Sequence, residues 1–313
     1  MKLVTYSHNN SISCGILTQN GIIDIPSAAK DNFKPPRSVK EMLQKGQSYL
    51  DQIAAIAETA EEFISLDSVK LLAPIPRPGK LLALAGNYSK HIIEAGLKLG
   101  LSDSPQNTTV PRPFLMPSTV VTGPDTIINW PAYSEQVDYE IELAVVIGKT
   151  AKCISPENAE DYIAGYTIAN DISARSVTFK AQRAHRPWDE FFDWLNGKWS
   201  DSFLPMGPWL VTKDEIEDPQ KLDMELTVNG KTRQKANTSQ MIFTVTRIVS
   251  FLSYIMTLEP GDCIATGTPE GVGMASGDFL EPGDKIQCKI QNLGILSNTL
   301  SHRPDSFYKP LEK

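Results

Sequence analysis

The sequence predicts a β-rich α+β fold with a small N-terminal α+β unit, and three observations carry that prediction. Short apolar or alternating segments of strand length outnumber helical patterns along most of the chain. Gly-Asp pairs (Gly261-Asp262, Gly277-Asp278, Gly283-Asp284) punctuate its last third as turns. A proline-rich connector, Ala73-Pro74-Ile75-Pro76-Arg77-Pro78-Gly79, suits neither a helix interior nor a central strand. It is the expected boundary between residues 1–72 and a larger unit at 73–313.

In order along the chain, Lys2–Ser7, Gly15–Thr18 and Gly21–Ile25 read as a meander turning at Asn9-Asn10 and Asn20-Gly21. Helical periodicity follows at Val39–Lys45 and Tyr49–Phe63. Lys80–Ala85 is an apolar strand, and Tyr88–Leu99 a helix with Ile92, Ile93, Leu97 and Leu99 apolar. Val137–Ile147 reads as one strand, Ser155–Tyr162 as a helix, and Ile163–Ile172 and Trp209–Val211 as strands. Leu222–Val228 runs into the hairpin signal Asn229-Gly230. Val245–Met256 is an amphipathic helix; Asp262–Ala265 and Lys285–Ile290 are strands. No repeat or low-complexity tract interrupts the pattern.

The chain has 313 residues, 41% hydrophobic and 21% charged, which is ordinary for a globular protein with a substantial core. A net charge of −7 argues against nucleic-acid or anionic-membrane binding. Cys14, Cys153, Cys263 and Cys288 are widely spaced, giving neither a zinc signature nor a disulfide framework. The N-terminus turns polar before a signal peptide could form, and no run approaches a membrane span. A cytoplasmic protein is expected.

Acidic residues sit where apolar strands begin and end. Glu140 and Glu142 open the run Ile141–Ile147; two apart on a strand, they share a face with Cα atoms roughly 7 Å apart. The pair alone fits a solvated strand end as well as a metal site, and Glu135 and Asp138 add to the local negative charge. Asp171, closing the run Tyr166–Asn170, tips the balance. Three carboxylates with no cysteine or histidine partner favour Mg²⁺ or Mn²⁺, with Ca²⁺ also admissible, over zinc.

His91 and Glu94 lie three apart on one helix face, an arrangement that suits a general base and its orienting carboxylate, though surface pairs look the same. Their position after the corner Ala85-Gly86-Asn87-Tyr88 favours a functional role. Arg175 and Lys198 are cations in loop-like surroundings. The glycine-rich segment Thr266-Gly267-Thr268-Pro269-Glu270-Gly271-Val272-Gly273 offers hydroxyls and amides for an anion or oxyanion, but lacks the P-loop pattern.

Placed in order, these pieces resemble the fumarylacetoacetate hydrolase superfamily. The resemblance runs from Gly86-Asn87-Tyr88 with His91 and Glu94, through Pro117-Ser118-Thr119 and Asp138–Lys149, to Asn170–Arg175. It continues through Gly197-Lys198, Pro205–Pro208, Val228-Asn229-Gly230 and Arg233-Gln234 to Thr266–Gly273, spanning about residues 80–300. It implies a mixed β-sandwich roll, a homodimer, and Mg²⁺ or Mn²⁺ on Glu140, Glu142 and Asp171. It also implies a small 2-oxo or 2,4-dioxo acid as substrate. His91, oriented by Glu94, would activate water, Lys198 and Thr268 would serve the reacting oxygens, and Arg175, Gln234 and Tyr88 would bind the acid. Hydrolysis of a carbon–carbon bond is then the leading expectation. The alternatives are a lyase, isomerase or hydratase acting on a 2-oxo acid, of the oxaloacetate decarboxylase or 2-hydroxydienoate hydratase type, and a non-catalytic metal-binding protein. Three departures stand out: Met116 where many relatives carry lysine, Ser176 where they often carry aspartate, and an aromatic-rich insert between Ser176 and Asn196.

Overall fold

Two sheets carry the fold. The computed structural model describes residues 1–29, 33–99, 108–181 and 183–311, and of residues 95–99 only the backbone. In chain order the strands are β1 Lys2–His8, β2 Ser11–Thr18, β3 Gly21–Asp24, β4 Lys70–Leu72, β5 Leu81–Leu84, β6 Pro113–Leu115, β7 Val121–Thr122, β8 Ile127–Ile128 and β9 Val137–Asp138. They continue as β10 Ile141–Ile147, β11 Ile163–Asn170, β12 Ser173–Ala174, β13 Leu204–Thr212, β14 Asp223–Val228, β15 Lys231–Asn237, β16 Cys263–Ala265, β17 Lys285–Ile290 and β18 Gly294–Leu300. The helices are α1 Ile25–Ala28, α2 Val39–Gln44, α3 Gln47–Glu58, α4 Ser89–Leu99, α5 Asp189–Asn196, α6 Val245–Ile255 and α7 Gly273–Ser276. The β-rich α+β class expected from the sequence is the one observed.

The large sheet has eleven strands in the order β3-β2-β1-β13-β11-β10-β16-β5-β6, with β4 beside β1 and β7 beside β13. A five-stranded sheet, β15-β14-β17-β18-β8, packs against it through β11 and β13. Residues 1–72 close no sheet of their own: β1 pairs with β13 (Lys2↔Val211, Leu3↔Leu210) and extends the sheet of the larger part. Val39, Met42, Leu43, Leu50 and Ile53 of α2 and α3 join the same core cluster as Val145 and Ile264.

Local chemistry explains the element boundaries. The first meander turn has Asn9 and Asn10 at φ 49° and 63°, a conformation asparagine tolerates better than most residues. Helix α3 stops at Glu58 rather than Phe63, because the chain must become extended for Ile64 to exchange two backbone hydrogen bonds with Ile22 (2.8 Å each). Leu97 and Leu99, expected as apolar positions of α4, lie outside the described side chains. The helix expected at Ser155–Tyr162 is present as a 3₁₀ helix, Pro156–Tyr162.

The strand expected at 137–147 is interrupted at Tyr139 and Glu140. Side chains there replace ladder partners: Asp138 accepts from the Tyr139 amide (2.9 Å) and Asn170 from the Glu140 amide (2.9 Å). Beyond the break, β10 lies between β11 and β16 with all seven residues buried, which accounts for its unbroken apolar run. The corner after β5 is tied by Asn87, 1% exposed, whose side chain donates to the Phe243 and Thr266 carbonyls and accepts from the Phe243 amide.

Asn87→Ala would strand that amide and both carbonyls in the core. Leaving one buried donor unsatisfied costs about 1–3 kcal/mol, so the variant is expected to melt several degrees below wild type in a calorimetric scan. An unchanged melting temperature would contradict this account of the corner.

Candidate active site and metal centre

The acidic cluster follows from one register. β10 and β11 are antiparallel, with Ile141 opposite Asn170 and Glu142 opposite Ala169. The residue before the start of one strand therefore lies beside the residue after the end of the other. The Asp171 amide donates to the Glu140 carbonyl at 2.8 Å, and the carboxylates of Glu140, Glu142 and Asp171 offer oxygens within 4.8 Å of one another. All three residues are buried.

Two buried cations answer them. Lys198, 2% exposed, donates from Nζ to Glu140 Oε2 and Asp171 Oδ2, both at 2.8 Å. Arg175 donates from Nε to Asp138 Oδ2 at 3.0 Å and from Nη2 to Glu140 Oε1. Asp138 is fully buried and also accepts from the Gly273 and Met274 amides (2.7 and 2.9 Å). Four carboxylates thus face two cations.

That imbalance appears in the proton affinities. Burial pushes the Glu140 carboxyl up, but Lys198 and Arg175 together outweigh it and hold the group well below the usual carboxylate range. Asp171 has the same Lys198 contact but no direct Arg175 bond; burial, only partly offset by Lys198, pushes it up to about 6. Burial and the neighbouring Asp171 and Glu140 charges push Glu142 well above its ordinary value. Asp171 Oδ1 is buried without a hydrogen-bond partner. An orphaned carboxylate oxygen, surplus negative charge and oxygen-only donors fit a hard divalent cation.

The glycine-rich loop after β16 does hold anions, but they are the protein's own carboxylates. Gly267 N donates to Glu142 Oε2 at 2.7 Å, and Gly271 N reaches both Glu94 oxygens at 2.9 and 3.0 Å. At Gly267, with φ +95°, an added Cβ would lie 2.7 Å from Asn87 Cβ, so glycine is required. Thr268 Oγ1 donates to the Ile141 carbonyl at 2.9 Å and accepts from Gln234 Nε2 at 2.9 Å.

A cavity of about 590 Å³ brings most of the expected site residues together. Glu140, Asp171, Arg175, Lys198, Thr268 and His91 line it. His91 Nδ1 lies 3.2 Å from Glu94 Oε1, so Glu94 links the histidine to the glycine-rich loop. Glu142 and Glu94 lie outside its lining, on the Gly267 and Gly271 amides, and two further expected residues are turned elsewhere. Tyr88, 1% exposed, directs its hydroxyl to Met224 Sδ at 3.3 Å. Gln234, also 1% exposed, accepts from the Ile141 amide and donates to Thr268 and the Pro269 carbonyl. Gln234 is a strut between β10 and the loop; neither residue lines the cavity. The insert also lines the cavity, through Trp188, Phe191 and Trp194 of the α5 region. Arg183 anchors that region with paired bonds to Asp193 (2.6 and 2.9 Å). Arg112 and Phe114 also line the cavity, and no motif in the sequence marks them.

The C-terminal model of fumarylacetoacetate hydrolase matches residues 80–301. The chain belongs to the fumarylacetoacetate hydrolase family. An oxaloacetate tautomerase of Bacillus subtilis, YisK, is 39% identical over 315 residues, covering 96% of this chain and all of that protein. The mitochondrial oxaloacetate tautomerase fahd2 of Xenopus laevis is 37% identical over 305 residues, 95% of this chain and 89% of its own length. Among solved structures, maleylpyruvate hydrolase from Sphingobium sp. SYK-6, in complex with manganese(II) and pyruvate, superposes with a TM-score of 0.76. It is 29% identical over 97% of this chain and 100% of that one. Members of the family act on small oxo acids. No helix among the described residues is long and apolar enough to cross a membrane. The relatives include a mitochondrial and a bacterial protein, so they do not share the single cytoplasmic address expected from the N-terminus.

Divalent-cation binding should weaken as pH falls through about 6, because the proton that Asp171 then keeps competes with the metal. Mn²⁺ titration calorimetry in two buffers of different ionisation enthalpy should show proton release near pH 6. Glu142→Gln should lower Mn²⁺ affinity by at least about tenfold, the scale on which even outer-shell losses act. The metal-free variant should melt no lower than wild type, since a buried carboxyl is replaced by an amide that still accepts from Gly267. Unchanged Mn²⁺ affinity would remove Glu142 from the ligand set.

Proposed function

We propose that this enzyme interconverts the keto and enol forms of a small 2-oxo acid of the oxaloacetate type, with a divalent cation on Glu140, Glu142 and Asp171. The observation that carries the reading is the one cavity that His91 shares with Lys198, Glu140 and Asp171. A base and a buried ammonium then flank the place where a substrate with adjacent oxo and carboxylate oxygens would sit. The tautomerases among its relatives, matched over nearly the whole chain, support the same chemistry.

Keto-to-enol conversion requires removal of a proton from C3, movement of that electron pair into a C2–C3 double bond, and delivery of a proton to the C2 oxygen. A divalent cation held by Glu140, Glu142 and Asp171 would supply Lewis-acid stabilisation of negative charge there. His91 takes the C3 proton on Nε2, the nitrogen left over when Nδ1 faces Glu94. Glu94, itself held by the Gly271 amide, keeps the ring from turning. Lys198 donates a proton to the C2 oxygen and is recharged by the proton His91 has taken, passed through solvent; burial disfavours its charge, but Asp171 and Glu140 more than offset that and keep it an ammonium. Arg175 Nη1, which makes no hydrogen bond among the described residues, is left for the C1 carboxylate.

Carbon–carbon hydrolysis, the leading expectation from sequence, uses the same His91 to activate water, and a maleylpyruvate hydrolase shares the fold. The two reactions differ in products. With Mg²⁺ present, the proposed reaction consumes enol-oxaloacetate absorbance faster than pyruvate appears, and leaves acylpyruvates intact. Pyruvate release matching enol loss would indicate decarboxylation; release of pyruvate and a free acid from an acylpyruvate would restore the hydrolase. His91→Ala should slow tautomerisation by about a hundred- to ten-thousandfold, the usual scale for losing a general base, with Mn²⁺ affinity kept. A near-wild-type rate would remove His91 from the mechanism.

A further inference from the structure

The cavity has a cation that the proposed reaction does not use. Arg112 immediately precedes β6, and its carbonyl accepts from the Ala85 amide at 3.0 Å, which fixes its backbone beside the β5 corner. Its side chain is exposed and lines the cavity together with Ala85, Gly86 and Phe114. The other permanently or strongly held cations of the lining are committed. Lys198 lies between Glu140 and Asp171, and Arg175 is bonded to Asp138 and Glu140. Arg112 has no carboxylate within ion-pair distance among the described residues, and no ion pair links it to Glu190, the acid on the same rim.

The lining is asymmetric as well. Its acids Glu140 and Asp171 and the cation Lys198 between them are buried, Arg112 is exposed, and Leu84, Phe114, Phe191 and Trp194 give the lining its apolar surface. A guanidinium cannot lose its charge at physiological pH, and one without an acid partner beside an apolar wall favours an incoming carboxylate. A monocarboxylic 2-oxo acid would satisfy the buried groups and leave Arg112 without a counter-ion. A dicarboxylic one would satisfy both.

We propose that Arg112 is the specificity residue that selects dicarboxylic 2-oxo acids by receiving the carboxylate remote from the oxo group. The inference rests on the buried groups receiving the 2-oxo acid head, as proposed above. It goes further by assigning the recognition of the second carboxylate, and hence of the substrate class, to a residue outside the metal and proton-transfer groups.

The test compares ligands that share the 2-oxo acid head and differ at the far end: oxaloacetate against 2-oxobutyrate, and 2-oxoglutarate against 2-oxovalerate. Affinities are measured by calorimetry on Mn²⁺-loaded wild type, Arg112→Gln and Arg112→Lys. Wild type should prefer at least one dicarboxylate over its methyl counterpart by about five- to tenfold, the range expected of a charge-assisted pair at a partly open site. Arg112→Gln should erase most of that ratio while 2-oxobutyrate affinity stays within about twofold, and Arg112→Lys should restore part of it. A ratio that survives in Arg112→Gln overturns the assignment. So does an equal fall for both members of a pair, which would mean a structural or general electrostatic role. The reading of the reaction is judged separately: Arg112-dependent dicarboxylate preference without oxaloacetate turnover would refute the tautomerase and leave this inference standing.

Discussion

The antiparallel register of β10 with β11 is the constraint on which the site depends. Because Ile141 faces Asn170, the residues flanking those two strands meet at one end of a sheet that is covered on both faces. Glu140, Glu142 and Asp171 are thereby taken out of water together. Burying like charges in this way is unfavourable unless cations accompany them. Arg175 and Lys198 offset part of that cost but concentrate their effect on Glu140, leaving Asp171 and Glu142 with raised proton affinity. The remaining deficit is what a divalent cation would discharge under the proposed function, and metal uptake would then release protons. A one-residue slip of β10 would send Glu142 to the opposite face and dissolve the cluster.

The segment from Gly267 to Met274 works as a harness. Its amides bind three carboxylates from three places: Glu142 of the central strand, Glu94 of α4, and Asp138 at the strand break. Thr266, just before the segment, and Thr268 within it donate to the Leu143 and Ile141 carbonyls, so the loop runs alongside β10 as an extension of the ladder. His91, through Glu94, and the acidic cluster are therefore referred to one backbone segment, the kind of preorganisation that the proposed acid–base chemistry needs. Gln234 serves the same end from β15, which explains why its amide is spent inside the protein.

Much of this was legible in the chain because it is local. The apolar run Ile141–Ile147 and the alternation of Lys285–Ile290 mark strands, and the spacing of His91 and Glu94 marks a shared helix face. What escaped depends on partners far away in sequence. The break at Tyr139–Glu140 arises from side-chain acceptors, one of them thirty residues on. The glycine-rich loop looked like an anion site for substrate, since nothing nearby in the sequence shows that Glu94 lies 177 residues away and already occupies the Gly271 amide. Tyr88 and Gln234 carry groups suited to a substrate, but whether such a group faces a cavity or the core is decided by packing against Met224 and Thr268. Arg112 has no motif around it; only the pairing of β5 with β6 brings it to the site.

The central claim is that the register of two strands builds a divalent-cation site from Glu140, Glu142 and Asp171. Its most direct measurement is the anomalous difference map of a crystal equilibrated with Mn²⁺ above pH 7, where the carboxyls are free to ionise around the metal. The account predicts one strong peak within about 2.0–2.4 Å of an oxygen from each of the three carboxylates, the range expected for a hard cation on oxygen ligands. Saturating Mn²⁺ with no peak among these residues, or a peak that leaves Glu142 and Asp171 outside ligand distance, would contradict it.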